Sequence, residues 1–218
     1  MHMEAEQFAE NMLQGNTETC WENLLQHVES GRNSLFIFEQ LLAPAMRYVG
    51  SLWETNQITV ADEHLASGVC DVLLSRYAAL KKKPATHGYR AMLLCVKGEA
   101  HYFGLKMVNT MFEENGFDTR FYGPNLPLEY ATLSALSWKP DVVALSVSIV
   151  YHLPALLEYV EAFEKLIPQP VIMIGGRIIE KYSVHEAVDG RAVFLSDIYE
   201  LEQWIMSYNR SNQQQYVR

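Results

Sequence analysis

The sequence predicts an α/β chain with an all-α cap: a four-helix bundle over residues 1–84, then a doubly wound, parallel, five-stranded sheet over residues 88–218. Three observations carry that prediction. Up to Leu80, apolar residues recur at three- and four-residue steps, the period of helices that bury one stripe. From Tyr89 onward, short continuous apolar runs alternate with helix-length segments, as expected for strands covered on both faces by crossover helices. Lys81-Lys82-Lys83-Pro84 separates the two regimes and reads as a solvated linker, a like-charge run closed by proline.

The helical elements follow in order. Phe8, Met12 and Leu13 mark the first helix, and Trp21, Leu24, Leu25 and Val28 the second. Asn16-Thr17-Glu18-Thr19 starts the second helix after Gly15, and Gly31 stops it. The pattern resumes over residues 35–53, with Pro44 expected to kink that helix or split it in two, because proline lacks an N–H and clashes with the preceding turn. Thr55-Asn56-Gln57-Ile58 is a turn. Thr59 caps the last helix, Val60–Leu80, with Asp62 in place of the usual glutamate of a capping box.

In the second half the strands are expected at residues 91–96, 117–122, 141–147, 171–174 and 192–195. The intervening helices are expected at 102–115, 127–137 and 153–166, with a last one from about 197 to 208. This βαβαβ order implies a Rossmann-like, flavodoxin-like sheet with right-handed crossovers. The polar tail Ser211-Asn212-Gln213-Gln214-Gln215 is expected to fray.

Composition narrows the function. Hydrophobic residues make up 49% of the 218 and charged residues 20%, the balance of a folded globular chain. A formal charge of −9 argues against direct binding to a nucleic-acid backbone. No apolar run reaches the length of a membrane span, and the acidic start Met1-His2-Met3-Glu4-Ala5-Glu6 lacks a signal-peptide core, so a cytoplasmic location is expected. Cys20, Cys70 and Cys95 form no CxxC pair and read as reduced, buried thiols.

Ligand sites in doubly wound sheets lie beyond the carboxyl ends of the strands, near the switch point. After the first strand comes Lys97-Gly98-Glu99-Ala100-His101-Tyr102-Phe103-Gly104, after the third Ser146-Val147-Ser148, and after the fourth Gly175-Gly176. A histidine, two hydroxyls and paired glycines therefore share one rim. The imidazole can coordinate a metal, the hydroxyls can hydrogen-bond a ligand, and the glycines let backbone approach an extended tail. The absence of GxGxxG after the first strand and of GxxxxGK[ST] disfavours a dehydrogenase or a P-loop enzyme.

Glu99-x-His101-x-x-Gly104 resembles the DxHxxG signature of cobalamin (vitamin B12)-binding domains, which is followed in that family by Ser-x-Leu and then Gly-Gly. Here 41 residues separate Gly104 from Ser146, and 26 separate Ser148 from Gly175. The resemblance implies that His101 is the lower axial ligand to cobalt, that Gly104, Ser146, Gly175 and Gly176 line the pocket for the displaced dimethylbenzimidazole, and that Ser148 is a further cofactor-binding residue. Glu99 would then hold the other imidazole nitrogen, through a bond expected to be long or water-bridged because glutamate adds a methylene. Ser148 stands where the family has leucine.

The helical half carries a second resemblance. Nine residues separate Trp53 from Glu63-His64. That Wx9EH arrangement is similar to the light-sensing regulators that bind adenosylcobalamin, and it implies that Trp53 packs on the adenosyl group while Glu63 and His64 stand beside it. In the alternative, Trp53 is bundle core and Glu63 complements its helix N-terminus. The regulators carry a histidine after the motif tryptophan, where this chain has Glu54, and a DNA-binding domain ahead of the bundle, which this chain is expected to lack. His64 and His152 are candidate substitutes for that histidine, although His152 reads equally as a helix-start or surface residue. His2, His27, His87 and His185 are read as surface or loop residues.

Two functions follow from the resemblance. One is a sensory protein that binds adenosylcobalamin base-off/His-on between bundle and sheet and signals through a partner protein or self-association. The other is a corrinoid methyl carrier that takes methylcobalamin within a methyltransferase system.

Overall fold

A computed structural model of the protein describes residues 2–179 and 184–213. The chain divides into two compact units, Met1–Lys81 and Lys82–Arg218.

The first unit is helical throughout. Its elements are α1 (His2–Leu13), α2 (Thr17–Glu29), α3 (Ser34–Phe36), a π-helical segment (Ile37–Leu42), α4 (Ala43–Glu54) and α5 (Val60–Leu80). Buried Ala5, Phe8, Ala9 and Met12 of α1 follow the three-and-four spacing read from the sequence, as do Ala66, Val69, Cys70, Leu73, Leu74 and Tyr77 of α5. α1 packs on both α4 and α5. Ser34 hydrogen-bonds the buried Tyr77 hydroxyl at 2.8 Å, which joins the start of α3 to the end of α5.

Pro44 does not split its helix. Residues 34–54 run as one continuous helical stretch in which the π segment immediately precedes α4, and the Ala43 N–H bonds the carbonyl of Phe38, five residues back. The wider π turn absorbs the missing N–H and the ring clash that an α turn would suffer at proline. The Thr59 cap forms in full: Thr59 Oγ1 accepts from the Asp62 N–H at 3.3 Å, and Asp62 Oδ2 accepts from the Thr59 N–H at 2.8 Å.

The second unit is a five-stranded parallel sheet in the order β2-β1-β3-β4-β5. In chain order the elements are β1 (Arg90–Cys95), α6 (Phe103–Glu114), β2 (Asp118–Gly123), α7 (Leu128–Trp138) and β3 (Val142–Ser146). A 3₁₀ turn (Val150–His152) then leads into α8 (Leu153–Glu164), β4 (Val171–Gly175), α9 (Val184–Val188), β5 (Val193–Leu195) and α10 (Ile198–Gln213). Alternation sorts the central strands. Met92, Leu94, Val143, Leu145, Ile172 and Ile174 pack with α7, α8 and α9, while α6 lies against β1, β2 and β3 and contacts α10.

The sequence reading did not include α9 or the 3₁₀ turn. It also ended the last helix too early. α10 continues through Ser211, Asn212 and Gln213, so those residues extend a helix rather than fray, and Gln214 and Gln215 lie outside the described residues. Strand order reverses between β1 and β3, so the loops after these two strands leave the sheet at its topological switch point.

Candidate functional site

The loops leaving β1 and β3 meet at one carboxylate. Glu99 is wholly buried. Its Oε1 accepts from the His101 backbone N–H at 2.9 Å and from His101 Nδ1 at 2.5 Å. Its Oε2 accepts from the backbone N–H groups of Ser148 at 2.6 Å and Ile149 at 3.3 Å, and from His152 Nδ1 at 3.2 Å. A carboxylate offers roughly four lone-pair sites, so five donors saturate it. Burial pushes this carboxyl up, but the hydrogen bonds from the His101 ring and backbone, Ser148 and His152 outweigh burial and hold it down at about 2. Glu99 is therefore a buried anion stabilised by directed donors.

This pairing sets the state of His101. A carboxylate on Nδ1 keeps the proton there and leaves the lone pair on Nε2. The His101 side chain is 49% exposed, so the ring reaches outward from a buried anchor. The expectation of a long or water-bridged Glu99–His101 bond is corrected: the contact is direct. The added methylene instead gives Glu99 the reach to span from His101 to the backbone at Ser148.

His152 is the residue that sequence reasoning undervalued. It ends the 3₁₀ turn ahead of α8, yet its side chain is only 19% exposed because Nδ1 bonds Glu99. The signal was the glutamate in the motif, whose longer side chain can hold a second partner, together with a histidine on the next loop of the same rim. Gly98 makes room for that ring. It stands at φ +87°, and a Cβ there would lie 3.0 Å from His152 Nε2.

Other bonds fix the loop. Ser146 Oγ–H and Cys95 Sγ–H both donate to the His101 carbonyl, at 3.3 and 3.7 Å. Burial pushes the Cys95 thiol up to about 12, the Glu99 charge adds to this, and Ser146 opposes it, so Cys95 stays a protonated, buried thiol. Asn125 ties in the loop after β2: its N–H donates to the Glu99 carbonyl at 3.0 Å and its Oδ1 accepts from the Gly98 N–H at 2.8 Å.

The glycines differ in what demands them. Gly176 stands at φ +131°, and a Cβ there would fall 1.8 Å from the Val147 carbonyl oxygen, so the loops after β3 and β4 approach more closely than any side chain allows. Gly175 pairs with Ser146 in the ladder. Gly104, in the first turn of α6, faces open space: a Cβ there meets nothing within 4 Å.

The structure thus joins Glu99, His101, Ser146 and Ser148 by direct bonds. Trp53, Glu63 and His64 belong to the helical unit and flank the connection between α4 and α5. Trp53 is 49% exposed, so it is not bundle core. Glu63 Oε2 bonds His64 Nδ1 at 2.8 Å, and its Oε1 accepts from Ser67 Oγ at 2.7 Å. The His64 ring is 74% exposed. His87 bonds the Asn115 carbonyl, and His27 pairs with Glu4. The side chain of His2 lies outside the described residues.

Two family models match the chain, at residues 89–193 and 4–77, and each is described as a B12 binding domain. The chain is 30% identical to the HTH-type transcriptional repressor CarH of Myxococcus xanthus over 145 residues, covering 65% of this chain and 48% of that protein. It is 34% identical to the repressor CarA of the same organism over 106 residues, 34% of that protein's length. It is 25% identical over 172 residues to dimethylamine corrinoid protein 1 of Methanosarcina acetivorans, covering 75% of this chain and 81% of that protein. The chain therefore spans about half or less of the two repressors. Among solved structures, the monomethylamine corrinoid protein of Methanosarcina barkeri aligns with a TM-score of 0.75 at 19% identity, covering 94% of this chain and 97% of that one, a likeness of fold. With the switch-point histidine motif in a β2-β1-β3-β4-β5 sheet and both halves matched by B12-binding models, the chain belongs to the cobalamin-binding domain family.

Proposed function

We propose that this protein is a sensor that binds adenosylcobalamin base-off/His-on and answers light by changing its association with itself or with a protein partner. The observation that carries this reading is the Glu99–His101 pair. A buried carboxylate 2.5 Å from Nδ1 leaves the lone pair on Nε2 of a half-exposed ring at the switch point, the donor that a cobalt lower ligand would require. Among the described residues, no group of three or more His, Cys, Asp or Glu side chains is arranged to hold a bare metal ion. A single imidazole suits a metal whose other positions are filled by a macrocycle. The open space at Gly104 suits the nucleotide tail of such a group.

Bound adenosylcobalamin supplies a cobalt–carbon bond that green light breaks. In this reading His101 supplies the lower ligand, and Glu99 keeps its Nδ1 proton in place. Ser146 and Ser148 hold the loops that carry them. Trp53 presents its exposed face to the adenosyl group, with Glu63 and His64 beside it. Glu63, held by His64 and Ser67, would accept hydrogen bonds from the ribose hydroxyls.

The second reading is a corrinoid methyl carrier. Its support is the likeness to the dimethylamine corrinoid protein, which extends over 75% of this chain, against 65% for CarH. There His101 would keep the same role, and the partner would be a methyltransferase. The absorption spectrum of protein reconstituted in the dark with adenosylcobalamin, before and after green light, separates the two. A base-off/His-on spectrum that changes on illumination together with the sedimentation coefficient supports the sensor, and His101→Ala should lose the His-on form. Tight binding with no light-dependent change in assembly supports the carrier. No binding would sink both.

A further inference from the structure

We infer that the outer face of α7 pairs with the same face of a second copy of this chain, the two helices running antiparallel about a two-fold axis at Leu133. The inference goes beyond the cobalamin reading and does not depend on it.

α7 reverses the usual pattern of a helix that covers a sheet. Such a helix keeps its large apolar side chains inside and polar ones outside. The inner face of α7 instead buries the small residues Ala131 and Ala135, with Trp138 at its end. The outer face carries Tyr130, Leu133 and Leu136, each more than half exposed. Their spacing of i, i+3 and i+6 makes one row centred on Leu133. The neighbouring crossover helices α6 and α8 expose no large hydrophobic side chain. α7 is held firmly in place, since the hydroxyls of Tyr122 and Ser134 hydrogen-bond to each other and join it to β2.

The charges at the two ends of this row are complementary. Glu129 is exposed in the first turn and Lys139 is exposed at the C-terminal cap. Among the described residues neither stands in a salt bridge. Antiparallel pairing about Leu133 sets Leu133 on its own symmetry copy and Tyr130 against Leu136. It sets Glu129 against Ser137, two residues or about 3 Å of helix rise from Lys139. The acidic end of each copy then meets the basic end of the other, twice by symmetry, and the two helix dipoles oppose. Parallel pairing would set like charge on like charge. A self-complementary row of this kind fits a second copy, whereas an unrelated protein needs no such symmetry.

Area sets the strength of the contact. Three large side chains, each more than half exposed, leave roughly 300 Å² of apolar surface per copy, against about 800 Å² per partner in a standard interface. The row is therefore the centre of a small interface, and the dimer is weak and reversible.

The experiment is sedimentation velocity of the full-length protein without cofactor, from about 1 to about 300 µM, where an interface below standard size associates. The wild type should pass from monomer to dimer across that range. Leu133→Glu brings two carboxylates together at the axis and should abolish the dimer, with circular dichroism confirming the fold. Leu133→Ala, which adds no charge, answers the same question should the glutamate variant fail to fold, and should weaken the dimer at least about ten-fold. Glu129→Lys and Lys139→Glu should each weaken it about five-fold, because two symmetric pairs turn repulsive. The double variant Glu129→Lys/Lys139→Glu should return to wild-type association. A wild type that stays monomeric throughout leaves this face to a different protein and overturns the proposal. A dimer that survives in folded Leu133 variants overturns it too, as does a double charge variant no better than the single ones.

Discussion

At the scale of single residues, the site turns on a buried anion and on two glycines with opposite requirements. Glu99 has its carboxyl held at about 2, against 4.5 for the ordinary group. A carboxyl lowered by folding contributes stability that is complete above its unfolded pKa and disappears as pH falls through its folded value. The loss should therefore fall between about pH 4.5 and 2, and the shift corresponds to something on the order of 3 kcal/mol. Chemical denaturation of wild type and Glu99→Gln across pH 2–6 tests this: the difference in stability should shrink toward the acid end. A difference independent of pH would show that the cost of the variant is steric. For the glycines, Gly176→Ala puts a Cβ 1.8 Å from the Val147 oxygen and should cost at least about 3 kcal/mol or prevent folding of the α/β unit. Gly104→Ala meets nothing within 4 Å and should leave the melting temperature unchanged. If cobalamin fills the space beside Gly104, the same substitution should weaken binding. Unchanged affinity would remove Gly104 from the pocket.

At the scale of elements, helix termini and strand ends account for most of what is placed. The reciprocal Thr59–Asp62 cap fixes where α5 begins, and hence where Glu63 and His64 fall on its first turn. Thr59→Ala should cost about 1 kcal/mol of stability in the helical unit and fray that turn. Hydrogen exchange at residues 60–64 would detect this, and protection equal to wild type would show the cap to be dispensable. Elements of this kind were legible in the sequence because their cause is local: the spacing of apolar residues in α1 and α5, the capping threonine, and the apolar run of β1. Features with a distant cause were not. The π segment before Pro44 depends on a helix that tertiary packing keeps continuous. α9 spans only Val184–Val188, too short to show a period. The role of His152 depends on Glu99, 53 residues away in sequence. Nothing local to His152 distinguishes it from a histidine that starts a helix.

At the scale of the whole molecule, the proposed function assigns different parts of the recognition problem to the two units, and this separates the two functional readings. The α/β unit holds His101 and Glu99, which any cobalamin with a displaced base would use whatever its upper ligand. In the proposed reading Trp53, Glu63 and His64 of the helical unit serve only to recognise the upper ligand. A variant in each unit should therefore fail in a different way. His101→Ala should lose the His-on spectrum with adenosyl- and methylcobalamin alike. Trp53→Ala removes an exposed aromatic face, whose packing on an adenosyl group is worth about 1 kcal/mol beyond its buried area. It should lower adenosylcobalamin affinity by about tenfold once that area is included, leave methylcobalamin affinity near wild type, and abolish any light-dependent shift in sedimentation. Titration of both cobalamins into both variants, followed by absorption and sedimentation, gives the full comparison. An equal loss for the two cofactors in Trp53→Ala would mean that the tryptophan does not read the upper ligand. The support for a sensor would then reduce to the likeness to the repressors, and the methyl-carrier reading would be preferred.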